Sequence, residues 1–180
     1  MDTGRPPTPA PHLPTPLAFE HFCNVLDAEG LRSALAYLAC LSDYRCVGIF
    51  RIEGGRARVV AHVDRRRPHA GLARVPESVV GSCHVHDPRG VLTTVDALRG
   101  QGAAGVAACR SLPILDPEGV LLGTLCHHDP AGPAGAPPDL LLLLQVTSEI
   151  ARRGLLAPGG RSDGAAATAT GPRSGWVDLR

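Results

Sequence analysis

Two apolar runs, Cys109 to Leu115 and Val120 to His127, are separated only by Asp116, Pro117, Glu118 and Gly119. Pro presets the backbone angle of a turn, Asp bonds its own backbone, and Gly accepts a positive φ, so this spacing predicts an antiparallel hairpin. A second hairpin is signalled earlier, where Tyr44 to Ile52 and Ala57 to Val63 flank Glu53, Gly54, Gly55 and Arg56. In the first of these strands Val47 and Ile49 point one way, and Cys46, Gly48, Phe50 and Ile52 the other. Both faces of that strand can be covered, as for a strand in the middle of a sheet.

Helical periodicity brackets the strands. Phe19, Phe22, Cys23 and Leu26 share one face of a short helix, and Leu31, Ala34, Leu35, Leu38 and Leu41 form the stripe of a second. Asp27 is the expected cap of that second helix, and Ser42 with Asp43 its exit. After Pro137 and Pro138 a last helix carries Leu140, Leu143, Leu144, Thr147 and Ile150, with Arg152 and Arg153 at its carboxyl end and Gly154 to stop it. Between the hairpins, Arg65 to Ser82 has no firm period beyond a short helix near Pro76 to Val80, Val91 to Val95 is a strand candidate, and Gly100 to Ala108 is unresolved by pattern. The order fits one antiparallel sheet with its terminal helices on one face and an irregular segment over the other.

The chain has 180 residues, room for one domain with a real core. Residues 1–16 are Pro-rich and expected to be extended or disordered, residues 157–180 form a Gly- and Ala-rich tail expected to be disordered, and the folded unit is expected over 17–156. Three Phe, two Tyr and one Trp leave an aliphatic core. Every basic residue is Arg, which reads as genomic codon bias. A formal charge of +1 provides no long-range field for a polyanion, so nucleic acid is excluded as the main partner, and the run Arg65, Arg66, Arg67 reads as a solvated loop. The amino terminus is interrupted throughout by proline and carries no signal-peptide pattern, and the longest apolar run, Leu140 to Leu144, is far short of the roughly 20 residues that span a bilayer. A cytoplasmic protein with six reduced thiols and no membrane partner is expected.

Four motifs then follow in order: Ser82-Cys83; Val91-Leu92-Thr93-Thr94-Val95-Asp96-Ala97; Ser111-Leu112-Pro113-Ile114-Leu115-Asp116-Pro117-Glu118-Gly119; and Gly123-Thr124-Leu125-Cys126-His127-His128-Asp129. In this the chain resembles a bacterial GAF-domain subgroup that reads roughly S-x-C, V-x-D-A, V-P-L with a d-G turn, and G-T-L-C-x-x-D. The resemblance spans about residues 17–155. It implies an α+β fold: a five- or six-stranded antiparallel sheet, amino- and carboxyl-terminal helices packed on one face, and a small-molecule pocket on the other. It further implies a sensory or regulatory module of a bacterial signalling system, without catalysis of its own, in which the first and last helices pair with a second copy or a signalling partner protein. On this resemblance Cys83, His84, Asp96, Cys126 and His128 are the ligand-binding candidates. No cofactor or ligand identity follows from it. No kinase, cyclase or DNA-reading motif follows residue 156, which leaves the output unnamed.

The same residue types also bear on other chemistries. Cys83, His84 and His86 before Asp87, and Cys126, His127 and His128 before Asp129, are thiolate and imidazole groups suited to a soft transition metal. Their spacing matches no zinc pattern, and both cysteines sit where the resembled subgroup commonly has one, so no metal site is expected. Adjacent His127 and His128 on a strand must face opposite ways. The same runs are similar to the bilin-pocket residues of phytochrome GAF domains, but Cys83-His84 precedes the Val91 strand instead of following it, and few aromatics are available to pack along a tetrapyrrole. The runner-up function is a thiol enzyme or redox sensor using Cys83, Cys109 or Cys126, similar to free methionine sulfoxide reductases, although two cysteines of that family lie closer together than any of these. A chain without Lys cannot carry the Asn-Lys-Phe-Asp-Glu signature of cyclic-nucleotide-binding GAF domains. Neither a nucleophile elbow nor a phosphate-cradling Gly loop occurs, so no catalytic residue is assigned. A third reading is a domain that has lost its ligand and serves only to dimerise.

Overall fold

A computed structural model of the chain describes residues 14–53, 56–67, 108–129, 139–157 and 176–178. Two helices, α1 (Thr15–Glu29) and α2 (Leu31–Cys40), precede the hairpin β1 (Cys46–Glu53) and β2 (Arg56–Asp64). A second hairpin, β3 (Ala108–Leu115) and β4 (Leu121–Asp129), is followed by α3 (Leu140–Arg152) and a short strand β5 (Trp176–Asp178). Four long strands form the sheet, with the three residues of β5 paired along β2 at its edge, in the order β3-β4-β1-β2-β5, and every pairing is antiparallel. Three residues of the stretch read as a disordered tail are thus strand. The Val91 to Val95 strand candidate and the short helix near Pro76 lie outside the described residues.

Both hairpins form where turn chemistry and alternation place them. At the second, the Asp116 carbonyl accepts from the Gly119 N–H at 3.0 Å, the Asp116 carboxylate accepts from the Val120 N–H at 2.7 Å, and Gly119 takes φ 81°. A left-handed φ costs Gly nothing, which is why the turn ends on it.

The helices correct one boundary. Asp27 does not cap α2; α1 continues through it to Glu29, and the chain bends at Gly30, whose φ is 88°. Without a Cβ, Gly30 ends one helix and starts the next with no linker between them. Pro16 in the first turn of α1 lets that helix start at Thr15, because its missing N–H would have had no helical partner there. Asp139 accepts from the Leu141 N–H at 2.9 Å and so caps α3, and Gly154, φ 64°, lies just past its end.

All three helices pack on one side of the sheet. Phe22, Leu35, Leu38, Leu143, Val146 and Ile150 from the helices meet Val47, Ile49, Leu112, Ile114 and Leu125 from the strands in a single, largely aliphatic hydrophobic cluster. The α2 helix lies on β1 and β2, α3 on β3, and α1 against both helices. Thr15 at the start of α1 bonds Asp139 at the start of α3, and Asp27 near the end of α1 pairs with Arg153 at the end of α3. The two helices therefore run parallel, clamped at both ends. An apolar groove of about 550 Å³ runs along their outer side, lined by residues that include Phe19, Leu141 and Leu144.

Candidate functional site

The other face of the sheet has a different character. Directly opposed residues on paired strands share a face, so Cys46 stands level with Asp64 and His128, Gly48 with His62 and Cys126, and Phe50 with Thr124. Ser111 on β3 opposes Cys126. Where the helix side is mostly apolar, this side gathers two thiols, two imidazoles and two hydroxyls. Cys126 is 0% exposed and His128 2%, and Ser111 and Thr124 are also buried.

Cys126 Sγ lies 2.8 Å from Ser111 Oγ and 3.5 Å from Thr124 Oγ1, so the thiol sits in a small hydroxyl network inside the protein. Beside it, His62 from β2 and His128 from β4 lean toward each other across β1, with their Nε2 atoms 3.4 Å apart and their rings tilted by 34°. Strands β2 and β4 flank β1, so their backbones lie two strand spacings apart, roughly 9–10 Å. Gly48, level with His62 on β1, leaves room for the His62 ring to lie over that strand. A Cβ on Gly48 would come within 3.1 Å of His62 Cδ2 and 2.9 Å of Phe50 Cε2. Cys46, two residues earlier on the same face of β1, completes a group in which Sγ and one nitrogen of each histidine all lie within 4.8 Å of one another.

Burial first, and then the neighbouring His128, pull the His62 imidazolium down to about pH 4, so the ring is neutral under ordinary conditions. Burial also pushes the Cys46 thiol up to about 12, with Asp64 adding to the effect. Asp64 is engaged in turn. Arg45 donates to both its oxygens, at 2.9 and 2.6 Å, and holds its carboxyl below the ordinary value.

Of the ligand-binding candidates read from the sequence, Cys126 and His128 lie on this one face, while Cys83, His84 and Asp96 lie outside the described residues. His127 points to the helix side, where its ring meets Tyr44 edge-on at 5.9 Å, as alternation requires. Sequence reasoning placed Cys46 on this face without a role and did not single out His62.

No protein-family description matches the sequence, and no curated protein does. The similarity lies in the fold. The GAF domain of an Acinetobacter phosphoenolpyruvate-protein phosphotransferase covers 79% of this chain and 92% of its own, with a TM-score of 0.54 at 10% identity. The phycocyanobilin-bound GAF domain of a cyanobacterial phytochrome covers 80% of this chain and 97% of its own, with a TM-score of 0.55 at 14% identity. This chain has the GAF fold. A phycoerythrobilin-bound GAF domain of a cyanobacterial phytochrome is similar to the same degree, with a TM-score of 0.55 over 78% of this chain and 94% of its own, at 13% identity. Against this GAF fold, the helix-backed antiparallel sheet expected from the motifs is present. No helix among the described residues is long and apolar enough to cross a membrane.

Proposed function

We propose that this GAF domain is a sensory or regulatory module that binds a small molecule against the sheet face bearing Cys46, His62, Thr124, Cys126 and His128. The observation that carries the reading is the burial of polar, ligand-type side chains on that face. Burying an imidazole or hydroxyl costs free energy that a Val or Leu would not, and this face buries His128 together with Ser111 and Thr124. That two similar structures hold a bilin supports the capacity of the fold for such a site, and carries no ligand identity over to this chain.

Output through the terminal helices, in a bacterial signalling system, belongs to the same reading. Supporting it are the parallel clamping of α1 to α3 and the apolar groove beside them, with Leu17, Leu140 and Leu141 about half exposed or more. Such a surface suits a second copy of the chain or a partner protein. Thiol catalysis through Cys126 has less support, because that thiol is fully buried and an attacking thiolate needs access.

Native mass spectrometry of the purified full chain tests the proposal in one measurement. Expected are a dimer and a bound small molecule that is lost on denaturation. A bare species near 18.7 kDa that captures nothing from a metabolite extract, together with thiol-dependent reduction of free methionine sulfoxide, would transfer the assignment to the enzyme.

A further inference from the structure

We propose that Cys46, His62 and His128 bind one divalent transition-metal ion of the zinc class, with the fourth coordination position left to water or to a ligand atom. The inference rests on the reading of this sheet face as the binding face, and names a chemistry for it. Among the described residues these three form the one group of Cys, His and acidic side chains whose ligand atoms converge.

The geometry favours an ion over the simpler alternative, a hydrogen bond between two neutral imidazoles. Nitrogens bound at about 2.0–2.1 Å to one tetrahedral ion stand about 3.3–3.4 Å apart, and the two Nε2 atoms are 3.4 Å apart. An N–H···N bond would normally be shorter, near 3.0 Å. Cys46 Sγ lies within 4.8 Å of one nitrogen of each ring, close enough for an ion to draw it in as a third corner of the tetrahedron.

The chemistry of the donors agrees. A neutral imidazole is the form that ligates, and burial holds His62 in that form. Cys46 stays protonated without a cation, but a dication beside it draws the proton off, leaving thiolate as the third donor. Asp64 and Asp129 both act on Cys46 with the charge that attracts a cation, and Arg45 offsets part of it. Two His and one Cys form a borderline-soft set that selects zinc-class ions over calcium or magnesium. Three protein ligands with an open corner is the arrangement of sites that exchange water for an incoming ligand, which is what a sensor requires.

Cobalt is the probe, because Co²⁺ takes zinc sites and reports their ligands. The metal-stripped full chain, titrated with Co²⁺, should bind one ion with strong visible bands of a tetrahedral centre and a thiolate-to-cobalt charge-transfer band, and Zn²⁺ should displace it. Cys46→Ser should abolish the charge-transfer band. His62→Gln and His128→Gln should each weaken binding by more than about tenfold, since even outer partners of ligands are worth that much. Far-ultraviolet circular dichroism of the variants checks that they fold. Should they not fold, paramagnetically shifted imidazole N–H signals in the cobalt-loaded wild type must still number two. Weak binding with no charge-transfer band, or affinity unchanged in both histidine variants, overturns the site. If the chain binds no metal while native mass spectrometry still finds an organic ligand, this inference fails and the binding-module reading stands.

Discussion

The two faces of one sheet, built from the same strands, follow opposite rules. Toward the helices β1 and β4 present Val47, Ile49 and Leu125, with the buried His127 among them; away from them the same strands present Cys46, Gly48, Thr124, Cys126 and His128. Since side chains alternate along a strand, each strand serves both faces at once. The aliphatic face gains free energy for every side chain it buries, and the polar face gives some of it back. The difference teaches that the helix side carries the apolar core, while the other side gathers the groups on which the proposed binding reading rests.

A single charge on the aliphatic face should break the comparison most severely. Leu143 is 0% exposed in the aliphatic cluster, and Leu143→Asp buries an unpaired carboxylate at a cost of several kcal/mol, comparable with a total stability of about 5–15 kcal/mol. Loss of the cooperative thermal transition is expected. Cys126→Ser, equally buried on the opposite face, keeps hydroxyl partners in Ser111 and Thr124 and is expected to fold with a melting point within a few degrees of wild type. Equal damage from both changes would mean that the faces do not differ in role.

The second test targets the residue on which the polar face turns. Gly48→Ala puts a methyl against the buried Phe50 ring and the His62 imidazole, and overpacking of this kind costs about 1–3 kcal/mol. Chemical denaturation should show that loss, and cobalt affinity should fall with it because His62 is displaced. Unchanged metal affinity would separate Gly48 from the site.

The smallest effect is expected on the helix layer, as a dependence on pH. Hydrogen bonds from Arg152 and then Arg153 hold Glu149 down to about 2, from an ordinary value of 4.5, with Asp27 and Cys23 as the other titratable groups around it. Because the folded-state value is the lower one, the stabilisation is fully present above about 4.5 and is lost as pH falls toward about 2. Glu149→Gln should therefore lower the melting point slightly at neutral pH and flatten its decline over that acid window. A decline as steep as that of the wild type would assign the acid sensitivity elsewhere.

Much of this architecture was legible in the residues. The D-P-E-G turn, the alternation in β1, the leucine stripe of α3 and the opposed faces of His127 and His128 follow from local chemistry and periodicity, which need no knowledge of the partner strand. The junction at Gly30 was less legible, because Asp27 has the chemistry of a cap but is drawn instead to Arg153, 126 positions away. Of the candidate site, Cys126 and His128 were found as a pair two residues apart on one strand. Cys46 and His62 were not joined to them.

His62 marks the division between what sequence and structure each decided. Counted regularly from the turn, where Glu53 pairs with Arg56 and Arg51 with Arg58, His62 would fall opposite Val47 and face the helices. The register instead shifts between Ile49 and Phe50, and the extra residue in β2 turns His62 to the other face, opposite Gly48 and within reach of His128. One residue of slip exchanges the faces of everything beyond it, and a bulge is the device that does so inside a continuous ladder. The sequence by itself determined the two hairpins and the main helices and how each one alternates, because those depend on neighbours in the chain, but neither β5 nor the end of α1. Only the tertiary structure decided which histidine meets which, because register is settled by the packing of Val63 and Ala61 into the aliphatic core rather than by any signal at His62.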